Sequence, residues 1–224
     1  MFKEDFNITK IKEEICAVGW QLYERGYVLS NNGNISVRIG GNEVIVTPSG
    51  VNKGRMTADM LVHTDLDGNI LSGNRYPSSE VKMHLRVYKN DKDVHAVIHT
   101  HAPTSTAFAV CRRPIAGRYM PEMTLRVGDV PVADFGMPST DEVPDSIQPY
   151  IAGHKAVLLA NHGLLTWGEN LWEAFDHTEL VEYAANLLIK AEHLGGGVEL
   201  SQETMDIMLS KRDYYKRLSS LKTS

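Results

Sequence analysis

Cysteine is scarce in this chain. Two occur among 224 residues, Cys16 and Cys111, without the paired spacing of a zinc site or a redox motif. That excludes a disulfide-stapled framework, and both are expected as buried thiols in a reducing cytoplasm. No apolar run approaches the length needed to cross a bilayer. The opening MFKEDFNITKIKEE is too charged for a secretory leader. A basic excess is also missing: 23 Lys and Arg face 28 Asp and Glu, for a net charge of −5. Nucleic acid is therefore not expected as the main partner, although a small anionic ligand needs only a local site. There is no linker, low-complexity tract or internal repeat. The 42% hydrophobic and 23% charged composition is that of a globular chain, and this length can bury a full core. The expectation is one domain over residues 1–224.

The periodicities alternate between helix and strand. Ile8, Ile11, Ile15, Val18 and Leu22 follow helical spacing, with Gly26 as a stop. Residues 31–50 read as two strands around Gly40-Gly41, with polar, Gly-rich loops at the outer ends. A hairpin turns at Asp67-Gly68, and a helix opens at Ser78 and runs to Lys89. DVHAVIHTHAP is a strand running into Pro103, with a helix following to about residue 111. A short helix covers 140–151. AVLLANHGLLTWG is two strands joined at Asn161-His162-Gly163. Asn170 opens the longest helix, to Gly195, and a last helix starts near Ser201. The pattern predicts an α/β fold, with a central, mostly antiparallel sheet and helices packed on both faces.

Within this frame the histidines stand out. His99 and His101, at i and i+2 on a strand, present two imidazoles to one side, as a borderline divalent metal requires. Taken alone, the pair reads equally well as two polar residues on an exposed strand face, and His95 shares their parity. His162 alone reads as a turn residue, and Glu80 as a carboxylate favoured near a helix start. Their coincidence weakens all four simple readings. Three imidazoles and one carboxylate leave a divalent ion net positive and able to polarise an oxygen. His63, His84, His154, His177 and His193 read as structural or solvated.

Three segments are rich in small donors: Asn32–Ser36, Thr47–Gly50 and Ser78-Ser79. Together they could hold a phosphate without any lysine, although each alone reads as an ordinary turn or cap. Ser78 and Ser79 immediately precede Glu80, so an anion bound at this helix start would lie beside the metal.

GNIS at 33–36, TPSG at 47–50, SSE at 78–80, HTHAP at 99–103 and NHGLL at 161–165 stand in the order and near the spacing of the class II aldolase/adducin-head superfamily. The chain resembles that family over about residues 8–195, and within it the L-fuculose-1-phosphate aldolases. The resemblance implies one zinc ion per subunit, bound by Glu80, His99, His101 and His162. It implies a phosphate pocket from Asn34, Ser49, Gly50, Ser78 and Ser79, with Asn31 at the preceding position. It further implies a homotetramer with active sites at subunit interfaces, where a neighbouring subunit lends a tyrosine. The matching position is Tyr119; a second, C-terminal tyrosine falls on Tyr215, with Tyr214 its neighbour. The implied reaction is reversible cleavage of a ketose 1-phosphate to dihydroxyacetone phosphate and an aldehyde such as lactaldehyde. Glu80 would serve C3, and Tyr119 the C4 hydroxyl. The epimerases of the superfamily carry an acid/base aspartate with no counterpart here, and its sugar-acid-phosphate decarboxylases tend to carry Thr-Lys-Glu in place of Ser-Ser-Glu. Methylthioribulose-phosphate dehydratases and deoxypentulose-phosphate aldolases are close competitors. An adducin-type interaction module would show a degraded ligand quartet, and this quartet is intact.

Overall fold

The computed structural model describes residues 7–220, with side chains through residue 212. Helix α1 (Ile8–Glu24) opens at Asn7, whose side chain accepts from the Lys10 N–H at 3.1 Å, and it buries Ile15, Val18 and Leu22. Strands β1 (Asn34–Arg38) and β2 (Glu43–Val46) pair around the expected glycine turn. Strands β3 (Val62–Asp65) and β4 (Ile70–Ser72) follow as a hairpin. The Asp65 carboxylate sets its turn by accepting from the N–H groups of Asp67 and Asn69. Helix α2 (Val81–Asn90) then leads to β5 (Ala96–Thr100), and α3 (Pro103–Val110) starts three residues later. Helix α4 (Pro121–Arg126), strand β6 (Val132–Ala133) and helix α5 (Glu142–Ile151) come next. Strands β7 (Ala156–Leu159) and β8 (Gly163–Gly168) precede α6 (Leu171–His193) and α7 (Gln202–Ser220).

The eight strands form one sheet in the order β4-β3-β2-β1-β5-β8-β7-β6, antiparallel except where β6 meets β7. Both faces are covered. Val44, Val46, Val97, Leu165 and Trp167 face α2 and α5, while Ile45, Ile98 and Ala96 face α1 and α6. Leu158 and Leu164 pack with α3, α4 and α6. Each fully buried Leu or Ile contributes roughly 1.5–3 kcal/mol relative to exposure. The central strands are buried at every position, which is why they read as apolar runs.

Two features fix the end of the sheet where β5 exits. The register sets Asn34 opposite His99, and His99 opposite Leu165. Beyond β5, Pro103 starts α3, and the free N–H groups of Thr104 and Ser105 both donate to the buried Glu182 carboxylate of α6, each at 2.7 Å. The cysteines depart from expectation. Cys16 is half-buried, but Cys111 caps the C-terminus of α3 and is exposed, because that helix stops at the surface. Among the described residues, no helix is long and apolar enough to cross a membrane.

Candidate active site

His99 is fully buried at the end of β5. Its Nδ1 lies 3.0 Å from the carbonyl of Leu164 and donates to it, which leaves the Nε2 lone pair bare. His101 lies one residue past the strand rather than on it, because β5 ends at Thr100 and the His101 N–H turns away to the Tyr27 carbonyl. Its ring still returns to the same point, with Nε2 3.0 Å from His99 Nε2. His162 arrives from the turn between β7 and β8. There Asn161, not the histidine, takes the left-handed conformation, with φ +57°. The turn can approach because Gly163 has no side chain. A Cβ there would lie 2.4 Å from the Thr100 carbonyl and 3.1 Å from both the His99 and His101 rings. The three imidazoles thus bring one ring nitrogen each within 4.8 Å of one another.

Glu80 completes the group. Its Oε1 is 3.1 Å from His162 Nε2 and its Oε2 is 3.7 Å from His99 Nε2. The helix expected from Ser78 begins three residues later, at Val81, with Glu80 as its N-cap. Residues 77 and 78 are held extended instead. Pro77 bridges Pro48, and the Ser78 N–H donates to the Thr47 carbonyl at 3.0 Å. The Ser78 hydroxyl then accepts from the Glu80 N–H.

A buried polar chain stands behind Glu80. The carboxylate only accepts, so the Asn34 amide donates to Oε2 at 3.0 Å. Asn34 Oδ1 must then accept from His84 Nε2, at 2.5 Å. His84 Nδ1 in turn accepts from the Ser36 hydroxyl, and Ser36 accepts from Tyr88, both at 2.7 Å. Every donor in this row points toward Glu80, and burial keeps His84 neutral, pushed down to about 3. Burial alone would raise the Glu80 carboxyl. The hydrogen bond with His162, the neighbouring imidazoles and Asn34 outweigh it and hold the group below the usual carboxylate range. His99 and His101 are pushed down chiefly by burial, so their lone pairs are free. Neutral imidazoles and an ionised carboxylate suit a borderline divalent ion better than a hard cation, which asks for oxygen donors. The residues fit such a metal.

Beside them opens a cavity of about 230 Å³. Asn31, Asn34, Ser49, Gly50, Ser78 and Ser79 all line it, and Glu80, His101 and His162 bound it. All six residues expected to hold an anion are therefore brought together, next to the expected ligands. Sequence reasoning missed Lys53, which also lines the cavity. The small-donor segments read as able to hold a phosphate without any lysine, and a lysine three residues after the Thr47–Gly50 loop is the signal that could have found it. It also missed the part played by His84, Ser36 and Tyr88. Tyr119 does not line the cavity of its own chain. Its hydroxyl donates to Glu199 Oε1 at 3.1 Å, a bond that raises the phenol's pKa. Tyr214 and Tyr215 fall in α7 outside the described side chains.

Comparison with known proteins gives this arrangement a context. The family "Class II Aldolase and Adducin N-terminal domain" matches residues 13–189. A 3-oxo-tetronate 4-phosphate decarboxylase of Haemophilus influenzae is 34% identical over 180 residues, covering 79% of this chain and 85% of the relative. A 5-deoxy-D-ribulose 1-phosphate aldolase of Bacillus thuringiensis is 31% identical over 212 residues, 93% of this chain and 98% of the relative. A solved L-fuculose 1-phosphate aldolase superposes with a TM-score of 0.84 at 33% identity, covering 94% of this chain and 97% of its own.

Proposed function

Because the chain belongs to the class II aldolase and adducin N-terminal family, we propose that it is a zinc-dependent aldolase cleaving a ketose 1-phosphate, of the L-fuculose 1-phosphate kind, to dihydroxyacetone phosphate and an aldehyde such as lactaldehyde. One observation carries this reading: three of the four ligand side chains, Glu80, His101 and His162, bound the donor-lined cavity, with Ser78 and Ser79 running directly into Glu80. A phosphate held there places C2 and C3 of the sugar at the histidines, and fixing the remote group lowers the entropic cost of aligning them.

A bound zinc ion, held by Glu80, His99, His101 and His162, would supply Lewis acidity to the sugar's oxygens. The chain's own groups move the protons. In cleavage the C4 hydroxyl proton leaves to a base, the C3–C4 bond breaks, and its electron pair stays on the C3 side, conjugated with the C2 carbonyl. Tyr119 of a neighbouring subunit in a homotetramer is the partner for the C4 oxygen, and Tyr215 closes the aldehyde side. Glu80, after taking up a proton from solvent, delivers it to C3, and the group at the C4 oxygen returns the C4 proton to solvent, so both are reset. The row from Tyr88 to Asn34 fixes the carboxylate's orientation for that step.

The test is a panel of ketose 1-phosphates assayed for dihydroxyacetone phosphate, with chelator-treated and zinc-restored protein compared. Cleavage should vanish with chelator and return with zinc. Indifference to chelator would refute the scheme. A second reading is favoured by the 34% identity to a decarboxylase. Carbon dioxide release from a 3-oxo sugar-acid phosphate, with no ketose 1-phosphate cleaved, would install that reading instead.

A further inference from the structure

Among the described residues, the one buried cation on the cavity sits on an element that the anion-loop pattern does not include. After β2 and the Thr47–Gly50 loop, the chain makes a single 3-10 turn, Lys53–Arg55, capped by Asn52, whose side chain accepts from the Gly54 N–H at 2.8 Å. This turn directs the Lys53 side chain inward, where the residue is only 2% exposed. A buried ammonium is costly unless its protons find acceptors. Two of them do, at the Asn31 carbonyl (3.0 Å) and the Val51 carbonyl (2.7 Å). An ammonium has three donors. The third has no hydrogen-bond acceptor among the described residues, and Lys53 lines the anion cavity.

The two carbonyls belong to different loops, Asn31 to the one that leads into β1 at Asn34, and Val51 to the one that follows β2 through Ser49 and Gly50. We propose that Lys53 is the cationic positioning residue of the anion pocket: it ties the two loops together and presents its remaining N–H to the substrate's phosphate dianion. The inference rests on the phosphate-pocket reading above and deepens it. It adds a charge-assisted bond to a site otherwise made of neutral donors.

One consequence separates this role from a purely structural tie. In the empty cavity, burial pushes the ammonium down to about 8, opposed by the Glu80 carboxylate. A dianion arriving beside it favours the charged form, so binding near pH 8 draws in a proton. The other titratable groups on the cavity are Glu80, His101 and His162. Glu80 is ionised and His101 neutral at that pH, and replacing Lys53 separates the lysine's proton from any other.

The experiment is calorimetric titration of the full-length, metal-loaded protein with sulfate, a dianion that does not titrate near pH 8, in two buffers of different ionisation enthalpy. The wild type should take up a measurable fraction of a proton per sulfate. Lys53→Met should weaken sulfate at least about tenfold, take up no proton, and raise the KM for sugar phosphate more than it lowers kcat. Lys53→Arg, which cannot deprotonate, should still bind sulfate but without proton uptake; it carries the test if the methionine variant fails to fold. Ser78→Ala probes the pocket itself and should weaken sulfate in either case. Sulfate weakened by Ser78→Ala, with affinity and uptake unchanged in Lys53→Met, overturns the lysine's role and leaves the pocket standing. Wild-type uptake retained in Lys53→Arg overturns it equally. No sulfate binding by the wild type defeats the phosphate-pocket reading and this inference together.

Discussion

The proposed function places Glu80 under two demands that pull in opposite directions. As a ligand it must be ionised, and its neighbours hold it below the usual carboxylate range. As the group serving C3 it must also carry a proton through the reaction. The Asn34 amide on Oε2 and the His162 ring at Oε1 keep one carboxylate in one place for both tasks. Glu80→Gln keeps the shape and removes the proton transfer, so kcat should fall about 10²–10⁴-fold. Sulfate affinity should stay close to wild type. Metal content measured on the same sample distinguishes a lost base from a lost ligand, and normal turnover would remove Glu80 from the chemistry. At this scale the sequence spoke where the chemistry is written locally. His99 with His101, and Ser78-Ser79 with Glu80, are recognisable because neighbours in the chain act together. Lys53 and His84 were not legible as site residues. Lys53 works through carbonyls at 31 and 51, and His84 through residues on a strand fifty positions away. Neither partnership has a spacing to read.

Among the elements, α2 binds the site to the core. Its buried face carries Met83, Leu85 and Val87 alongside His84 and Tyr88, so a helix that packs like any other also lines up the polar row. That has a cost in acid. Unfolded, His84 protonates near 6.5; folded, it stays neutral down to about 3. Between these values the unfolded chain binds more protons, so stability is whole above pH 6.5 and falls as the pH drops. By pH 5 this residue alone should take away about 2 kcal/mol. Denaturant titrations at pH 7 and pH 5, with chelator present, should show that loss in the wild type and less of it in His84→Gln; equal losses would count against a buried neutral histidine. The strands were legible because two covered faces make apolar runs. The start of α2 was misplaced because Ser78, a good cap by composition, is committed to the Thr47 carbonyl. Helix α4 and strand β6 escaped notice because six and two residues are too few to establish a period.

At the scale of the whole molecule, the residue expected to serve the aldehyde oxygen is absent from the cavity of its own chain. Tyr119 is bonded to Glu199. If a neighbouring subunit supplies it, Glu80→Gln and Tyr119→Phe disable different contributors to one site. Each variant alone should be nearly inactive. Subunits of the two, dissociated and reassembled together, should recover about a quarter of wild-type activity, because random assortment pairs an intact Glu80 with an intact Tyr119 that often. A mixture that stays inactive would place both groups in one chain. The brace between Glu182 and the first N–H groups of α3 bears on something else, the order of events as the protein is made. The segment just after His101 is pinned by a residue 77 to 78 positions downstream, and His162 also emerges long after Glu80. Ligands so far apart cannot be gathered cheaply by an ion in an unfolded chain, unlike the closely spaced ligands of a zinc finger. On the proposed reading the chain closes first and the ion enters a finished pocket, so its removal should cost catalysis while leaving the fold standing.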